Sequence, residues 1–249
     1  MKAEIKQSLR QLHMPTIRDA YETVAGQARQ DSWSYEQYLL ELLQQECDTR
    51  MKNRIARNLR ESKLPPAKTF DNFDKARLPV RVATHLNVLL EGCFLDRSEN
   101  VLVFGNPGSG KTHLLCAIGH ELVRKGRKVW FTTCGQLVQE LLIAKRDLRL
   151  ARVFKKLSRY DAVILDDIGY VQQSRDEMEV LFSFLGERYE RGSLMITSNL
   201  PFSKWEKIFK DPMTTAAAID RLIHHSVVFE LNLPSYRLEH SKKARSQDE

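Results

Sequence analysis

Apolar residues recur at intervals of three and four over residues 1–62, a spacing that predicts helices. The recurring positions are Ile5, Leu9, Leu12, Ile17, Ala20, Tyr21, Val24, Ala28, Tyr38, Leu39, Leu42, Leu43, Met51, Ile55 and Leu59. Ser34 and Gln37 have the spacing of a capping box, so we expect the third helix to start there. The pattern stops at Ser62-Lys63-Leu64-Pro65-Pro66, where prolines end a helix. The sequence therefore predicts a helical domain over residues 1–66 and a second domain over 67–249.

Short apolar and β-branched runs alternate with helical patterns in the second domain. The runs lie at 101–104, 128–133, 161–165, 193–198 and 226–230. Strands separated by helices predict a parallel sheet with helices on both faces. The predicted fold class is therefore α/β, preceded by a small all-α domain. Ligands bind such sheets at the carboxyl ends of the strands, so functional residues are expected there.

The first strand leads directly into a glycine-rich loop. Its sequence fits the phosphate-binding pattern G-x-x-x-x-G-K-[ST] in the required setting of strand, loop and helix. The predicted nucleotide-binding residues are Gly105, Asn106, Pro107, Gly108, Ser109, Gly110, Lys111, Thr112 and His113. Lys111 is expected to reach the β- and γ-phosphates of ATP, and the Thr112 hydroxyl to hold Mg²⁺. A chance glycine-rich turn is the alternative, which the flanking strand and helix disfavour.

Two carboxylates end the strand predicted at 161–165. Its apolar residues fit a strand covered on both faces, with Asp166 and Asp167 at the carboxyl end. Asp166 is expected to hold Mg²⁺ through water, and Asp167 to orient or deprotonate the attacking water. A solvated acidic strand end is the alternative. It weighs more for Asp167, because a longer Glu is usual there.

Two further polar residues are candidates for the reaction. Asn199 ends the run at 193–198 and is expected to position water or sense the γ-phosphate, unless it is only a turn residue. Arg221 precedes the last strand and is expected to reach the γ-phosphate of a neighbouring subunit as an arginine finger. A structural ion pair with Asp220 is the alternative. The predicted catalytic set is Lys111, Asp167, Asn199 and Arg221.

The charge of the chain favours a second polyanionic partner besides ATP. The net charge is +7 and the pI about 9.2. Basic residues cluster at 50–63 and 145–159, and on helices they would form stripes suited to phosphate contacts. The candidate DNA-binding residues are Arg50, Arg54, Arg57, Lys145, Arg149, Arg152 and Lys156. A solvated helix face is the alternative for each. No helix-turn-helix or zinc-finger pattern is present, so we expect largely sequence-independent binding to duplex DNA.

Cysteine spacing and hydropathy predict a cytoplasmic protein outside the membrane. Cys47, Cys93, Cys116 and Cys134 are far apart, which favours free thiols over a cysteine-based metal site. No apolar run approaches the ~18 residues of a membrane helix, and the polar start is not a secretion signal.

The phosphate loop, the Asp-Asp strand end, the polar strand end and the late arginine together resemble the AAA+ ATPases. Within them the chain resembles the IstB-like ATPases that assist transposition of bacterial insertion sequences, which are related to DnaC-type helicase loaders. The likeness covers almost the whole chain. It is carried by Leu12-His13-Met14-Pro15-Thr16-Ile17-Arg18, Tyr35-Glu36-Gln37-Tyr38-Leu39-Leu40-Glu41-Leu42-Leu43, Thr69-Phe70-Asp71-Asn72-Phe73, Arg188-Tyr189-Glu190-Arg191 and Ser235-Tyr236-Arg237.

This resemblance implies further site residues. Phe73 is expected near the adenine, and Arg237 is expected to face the nucleotide, with Pro234 standing where the family has Glu. An Asp at position 167 also occurs in this branch. The chain ends 28 residues after Arg221, so the C-terminal helical lid of most AAA+ proteins is expected to be absent or truncated, as it is in this branch.

The resemblance also implies a function in DNA transposition. The expected protein is an ATPase that forms a homo-oligomer on duplex DNA and assists a partner transposase in target selection or strand transfer. ATP would join the Lys111 and Thr112 site of one subunit to Arg221 of the next. A DnaC-like loader of a replicative helicase is the main alternative. A metabolic kinase is a third class, but no residues suggest its acceptor pocket.

Overall fold

The computed structural model describes residues 1–169, 174–209 and 211–236. The chain forms two compact units, Met1–Arg57 and Asn58–Glu249. The first unit contains the helices α1 (Lys2–Gln11) and α2 (Pro15–Gln30) and most of α3 (Tyr35–Ser62). The predicted three helices are therefore confirmed.

The core of the first unit is small. It contains Ile17, Tyr21 and Val24 of α2 and Leu42 of α3. The predicted capping box is present, since the Ser34 N–H donates to Gln37 Oε1 at 2.9 Å and the Gln37 N–H donates to Ser34 Oγ at 3.2 Å. The predicted apolar face of α3 is only partly buried, because its members Leu39, Leu43 and Met51 are exposed.

The second unit begins inside α3, earlier than the predicted boundary after residue 66. Asn58 and Ser62 are buried in this unit. The Asn58 side-chain amide donates to the Gly126 carbonyl oxygen at 3.4 Å. Leu59 and Leu64 pack against one of its apolar clusters. Residues 58–66 thus belong with the sheet-containing unit by their packing.

The second unit is a five-stranded sheet covered by helices. Its elements are α4 (Val80–Glu91), α5 (Cys93–Asp96), β1 (Asn100–Gly105), α6 (Lys111–Arg124), β2 (Val129–Thr133), α7 (Cys134–Arg146), α8 (Leu150–Leu157), β3 (Ala162–Asp166), α9 (Arg175–Arg188), β4 (Ser193–Ser198), α10 (Glu206–Phe209), α11 (Pro212–Ile223) and β5 (Ser226–Leu231). Each predicted strand is present within two residues of its expected ends.

The sheet is parallel, in the order β2-β3-β4-β1-β5. Side chains of β1 alternate between two cores, with Leu102 and Phe104 in one and Val101 and Val103 in the other. Helices α7, α8, α9 and α11 contribute to the first core, and α4 and α6 to the second. The predicted α/β class with helices on both faces is confirmed.

This strand order places β4 between β3 and β1. The loops that follow β1, β3 and β4 therefore meet at one edge of the sheet, at the carboxyl ends of the strands. In the described ranges, no helix is long and apolar enough to cross a membrane. None of the four cysteines, all of which lie in the described ranges, forms a disulfide.

Candidate nucleotide-binding site

The glycines of the loop after β1 hold a backbone that other residues would not allow. Gly105, Gly108 and Gly110 have φ values of +149°, +82° and +94°. A Cβ at Gly105 would collide with the Leu231 carbonyl oxygen, and one at Gly108 with the Ser235 side chain. The loop is therefore a tight backbone curl, and α6 starts at its end. Such a curl before a helix N-terminus suits the binding of phosphate groups.

The Lys111 ammonium group lies inside this curl. Its Nζ donates to the carbonyl oxygens of Gly105 and Asn106 at 2.8 and 2.9 Å. The side chain is buried although it is charged. The cation is thus held by the loop itself, in the position where a phosphate bound to the loop would meet it.

Asp166, at the end of β3, accepts two hydroxyl hydrogen bonds at the same oxygen. Thr112 Oγ1 and Thr197 Oγ1 each donate to Asp166 Oδ1 at 2.7 Å. Thr197 lies on β4, between the strands that carry the loop and Asp166, and its hydroxyl also accepts from the Asp167 N–H at 2.8 Å. The structure thus brings the two predicted metal-binding residues together.

Sequence reasoning missed Thr197. The signal was a threonine directly after three apolar residues of β4, and the structure shows that its side chain is 1% exposed. A buried hydroxyl needs hydrogen-bond partners, and those available at a strand end are the residues of the neighbouring strands.

The donor set at this edge fits Mg²⁺. Thr112 and Asp166 offer a hydroxyl and a carboxylate in direct contact, and Mg²⁺ prefers hard oxygen ligands with several waters and substrate phosphates. Thr112 would bind the ion directly and Asp166 through water. The loop and the acidic edge therefore suit a nucleoside triphosphate with its magnesium ion.

Asp167 has a strained backbone and a perturbed carboxyl group. Its φ of +65° lies in the left-handed region, which costs energy for a residue with a Cβ. Burial raises the pKa of the carboxyl group, the nearby charge of Asp166 raises it further, and Lys111 opposes this. A carboxylate with a raised pKa is a stronger base, which suits proton removal from water.

Asn199 follows β4 at the same edge as Asp166 and Asp167. Its Oδ1 is buried and has no hydrogen-bond partner among the described residues. A Cβ at Gly169, in the loop after β3, would lie 2.6 Å from that oxygen. The amide is therefore closely packed at the predicted reaction edge.

A cavity lies beside the phosphate loop, on the side formed by residues 68–77, which precede α4. Besides residues 108–113, it is lined by Lys68, Asn72, Phe73, Asp74, Arg77, Leu233 and Tyr236. The Phe73 and His113 rings lie 5.1 Å apart between centroids, so the structure brings both predicted nucleotide contacts to one wall. An aromatic wall beside a phosphate loop suits a purine base. Arg237 lies outside the described residues.

The segment after β5 closes the other side of this cavity. The Tyr236 N–H donates to the Gly108 carbonyl oxygen at 3.0 Å, and Arg77 donates to the Pro234 carbonyl oxygen at 3.1 Å. The Arg77 guanidinium also lies 5.4 Å from the centre of the Tyr236 ring. The phosphate loop is thus tied to residues 234–236 through its backbone.

Arg221 lies at the opposite end of the sheet. It sits near the end of α11, where the Asn100 side-chain amide donates to the Leu222 carbonyl oxygen at 3.1 Å. Asn100 starts β1, and the phosphate loop begins at its other end, roughly 17 Å away for a strand of this length. The structure does not bring Arg221 together with the other predicted catalytic residues of its own chain.

The predicted alternative for Arg221, an ion pair with Asp220, is absent. Its guanidinium carbon lies 4.5 Å from the centre of the Phe182 ring. No described carboxylate forms a salt bridge with it. The side chain therefore rests on an aromatic ring, and no acid in the described part of the chain pairs with its charge.

The candidate DNA-binding residues divide into two groups. Arg50 forms a 2.8 Å ion pair with buried Glu46 and donates to the His13 carbonyl oxygen. Lys145 forms ion pairs with Asp176 at 3.4 Å and Glu179 at 3.1 Å. These two have evident structural partners. Arg50 is nonetheless exposed, and so are Arg54, Arg57, Arg149, Arg152 and Lys156.

The segment Arg188-Tyr189-Glu190-Arg191 starts with a structural residue. The Arg188 guanidinium is buried and donates to the carbonyl oxygens of Leu157, Tyr160, Asp161 and Ser193 at 2.9–3.2 Å. Burial lowers the pKa of this group to about 10. Arg188 therefore fixes the turn between α9 and β4 to the loops around the start of β3.

Comparison with protein families and curated sequences gives close matches. A family model described as IstB-like ATP binding protein matches residues 7–244. An insertion sequence ATP-binding protein of Sinorhizobium fredii is 40% identical over 238 residues, which cover 95% of this chain and 80% of that protein. The ATP-binding protein of insertion sequence IS5376 from Geobacillus stearothermophilus is 34% identical over 249 residues, covering 100% of this chain and 98% of that protein.

Solved structures share the fold at lower identity. The DnaC helicase loader has a TM-score of 0.56 at 17% identity, with 67% of this chain and 98% of that chain covered. AMPPCP-bound DnaA from Aquifex aeolicus has a TM-score of 0.57 at 18% identity, with 74% of this chain and 56% of that chain covered. These similarities agree with the AAA+ architecture of the second unit.

Proposed function

This chain belongs to the IstB-like ATP-binding proteins, and on that premise we propose that it is an ATPase that assembles on duplex DNA and assists a transposase. The observation that carries this proposal is the division of the predicted catalytic residues. Lys111, Thr112, Asp166 and Asp167 meet at the carboxyl ends of the strands, whereas Arg221 lies at the amino ends. A second copy of the chain would supply the missing arginine.

The hydrolysis that we propose uses residues of the carboxyl end in distinct roles. The loop amides and Lys111 hold the triphosphate, and the cavity beside Phe73 receives the adenine. Thr112, and Asp166 through water, would hold Mg²⁺, which would supply positive charge to the triphosphate. Asp167 accepts a proton from the attacking water, and Asn199 orients that water. These roles rely mainly on positioning and charge, as is usual in phosphoryl transfer.

Arg221 of an adjoining copy would complete this site. An arginine supplied across an interface stabilises the charge that develops on the γ-phosphate and contributes ~10³–10⁵ in rate in known cases. In its own chain the guanidinium rests on Phe182 and has no adjacent acid among the described residues. ATP between subunits would then control assembly as well as fuel it.

The proposed contact with DNA rests best on α8. The apolar residues Leu150, Val153, Phe154 and Leu157 of this helix pack toward the core. Arg149, Arg152 and Lys156 are exposed, and none forms an ion pair with a described carboxylate. Such a one-sided basic helix suits contacts with the phosphate backbone of duplex DNA.

The transposase is the partner favoured by the relatives. Two of them are named as ATP-binding proteins of insertion sequences, and they match this chain along nearly all of its length. The similarity to a helicase loader concerns the fold alone. Target selection for an insertion sequence is therefore the role that we propose, in preference to helicase loading.

A mixing experiment tests the shared site. Lys111→Ala and Arg221→Ala proteins should each lose ATP hydrolysis in the presence of duplex DNA. Mixed in equal amounts they should recover about a quarter of the wild-type rate, since one interface in four pairs an intact loop with an intact arginine in a random ring. Steady-state phosphate release measures this rate.

The matched control mixes Lys111→Ala with Thr112→Ala. Both changes damage the phosphate loop, so no interface of that mixture is complete. If the Lys111→Ala and Arg221→Ala mixture stays as inactive as this control, the proposal of a site shared between subunits fails.

Salt dependence tests the DNA contact. Affinity for duplex DNA should fall steeply with salt, and the double variant Arg149→Ala/Arg152→Ala should reduce the slope of log K against log salt by about 2, since each phosphate contact contributes about 0.9. The control is Lys125→Ala, an exposed cation elsewhere on the second unit. An unchanged slope in the double variant would remove α8 from the DNA interface.

A further inference from the structure

Three metal-ligating side chains converge near the end of α11. One ligand atom each from Glu190, His224 and His225 lies within 4.8 Å of the others, and all three residues are exposed. Glu190 lies in the turn between α9 and β4, and the histidines lie between α11 and β5. The cluster therefore joins two segments that are distant in sequence.

The histidine segment has a fixed backbone. The His224 N–H donates to the Asp220 carbonyl oxygen at 3.0 Å and so continues the hydrogen bonding of α11. The His225 carbonyl oxygen accepts from the Asn100 N–H at 2.7 Å. Both imidazoles thus extend from a backbone that the helix and the first strand hold in place.

The turn that carries Glu190 is also fixed. The N–H groups of Arg191 and Gly192 donate to the Arg188 carbonyl oxygen at 3.1 and 3.2 Å. The buried Arg188 guanidinium donates to the Ser193 carbonyl oxygen at 3.0 Å. Only the side chains of the cluster are free to adjust, so little backbone ordering is needed to bring their ligand atoms together.

Tyr189 orients one of the imidazoles. Its hydroxyl oxygen lies 3.2 Å from His224 Nδ1. With the proton on Nδ1 donated to this oxygen, the lone pair of Nε2 is left to bind a metal ion. An outer partner of this kind sets the tautomer and ring orientation of most metal-bound histidines.

We propose that Glu190, His224 and His225 bind a transition metal ion of the Zn²⁺ class. Two imidazole nitrogens and one carboxylate form the donor set of three-ligand zinc sites, which leave a fourth position for water or another ligand. Imidazoles favour zinc, copper or nickel over magnesium and calcium. Ligand atoms around a tetrahedral zinc ion lie about 3.4 Å apart, so ligand atoms that lie within 4.8 Å of one another need to close by at most about 1.4 Å.

The site is independent of the proposed ATPase reaction but adjoins Arg221. His224 and His225 follow Arg221 by three and four residues, about one helical turn. A bound ion would tie the end of α11 to the turn that Arg188 fixes. It would thereby restrict the helix end that carries Arg221.

Direct metal binding tests this proposal. The protein would carry Cys47→Ser and Cys93→Ser, which remove the exposed thiols as competing ligands. After treatment with a chelator and without nucleotide, Zn²⁺ is titrated in competition with a chromophoric chelator. We expect one ion per chain. Co²⁺ should give the intense visible absorption of a tetrahedral site.

Each ligand has a conservative variant. Glu190→Gln, His224→Gln and His225→Gln should each weaken Zn²⁺ binding at least about tenfold, because even outer partners contribute 10–100-fold to metal affinity. The control His85→Gln replaces an exposed histidine outside the cluster and should bind Zn²⁺ like its parent.

Thermal melting separates metal binding from misfolding. Without metal, the three ligand variants should melt like the parent, and Zn²⁺ at a concentration near the dissociation constant of the parent should raise the melting temperature of the parent and of His85→Gln more than that of the ligand variants. If the parent protein binds no Zn²⁺, or if the three ligand variants bind it as the parent does, the proposal is wrong.

Discussion

The two ends of the parallel sheet differ in the contacts that their charged side chains make. At the carboxyl ends, charged and polar residues contact one another: Lys111 is held by loop carbonyl oxygens, and Asp166 by two hydroxyl groups. At the amino ends, the buried Arg188 guanidinium donates to four carbonyl oxygens, whereas Arg221 lies on an aromatic ring and has no adjacent acid among the described residues.

In the ATPase that we propose, this difference divides the reaction site between two copies of the chain. Residues at opposite ends of a strand are kept apart by its length, because a strand does not bend back on itself. A catalytic group at the amino ends is therefore useful to a site at the carboxyl ends only in another copy. The comparison predicts that substitutions at the carboxyl ends change the rate of ATP hydrolysis, while substitutions around Arg188 change the free energy of unfolding.

Between the acidic edge and the Arg188 turn, the larger effect should come from Asp167→Asn at the acidic edge. Asn tolerates the left-handed backbone but cannot accept a proton from water. We expect ATP hydrolysis to fall by ~10²–10⁴-fold, the usual contribution of a general base. Steady-state phosphate release measures the rate, and equilibrium binding of a fluorescent ATP analogue should show an affinity close to that of the wild type.

The raised pKa of Asp167 sets the direction in which this carboxyl group changes the stability of the protein with pH. A carboxyl group with a higher pKa in the folded state binds more protons there than in the unfolded chain, so stability falls as pH rises through the interval above its ordinary value of 3.8. Asp167→Asn should therefore flatten the stability profile in this interval and melt slightly higher at neutral pH.

Thr197→Val is the matched control for Asp167→Asn. It keeps both carboxylates but removes the hydroxyl that bonds Asp166 and accepts from the Asp167 N–H. Its loss of hydrolysis should be smaller than that of Asp167→Asn. Equal hydrolysis by Asp167→Asn and the wild type would contradict the role of Asp167 as the base.

Gly192→Ala, at the amino ends of the strands, should have a smaller effect, and we expect it on stability. A Cβ there would collide with the Arg188 guanidinium, whose four carbonyl partners prevent it from moving away. We expect overpacking to lower the free energy of unfolding by about 1–3 kcal/mol. Denaturant unfolding measures this change.

Gly26→Ala provides the control for this substitution. Gly26 lies within α2, and a Cβ there would have no atom within 4 Å. Alanine should stabilise that helix by about 0.5–1 kcal/mol. If Gly192→Ala were as stable as the wild type, the inferred rigidity of the α9–β4 turn would be wrong.

Much of the fold could be predicted because its signals are local. The five strands are short apolar runs between helical patterns, and the phosphate loop has a fixed spacing of glycines before Lys111. The start of α3 was marked by the Ser34 and Gln37 pair. In each case a few consecutive residues contain the physical reason for the structure.

The parts that could not be predicted depend on contacts between distant segments. The hydrogen bond from Thr197 to Asp166 requires β4 to lie beside β3, between β3 and β1. The sequences of β3 and β4 do not specify the order of the strands in the sheet. The structural pairing of Lys145 with Asp176 and Glu179 requires α7 to pack against α9. Charge patterns alone did not separate such residues from exposed ones like Arg152.

The edge strand β5 connects the helix that carries Arg221 to the neighbourhood of the phosphate loop. β5 starts just after the helix that carries Arg221 and ends at Leu231, whose carbonyl group borders Gly105 of the phosphate loop. Energetic coupling between two binding events is reciprocal. If nucleotide binding shifts this strand, engagement of Arg221 by another molecule should alter nucleotide affinity by the same factor, so each subunit would sense its neighbour through the stiffness of a single edge strand.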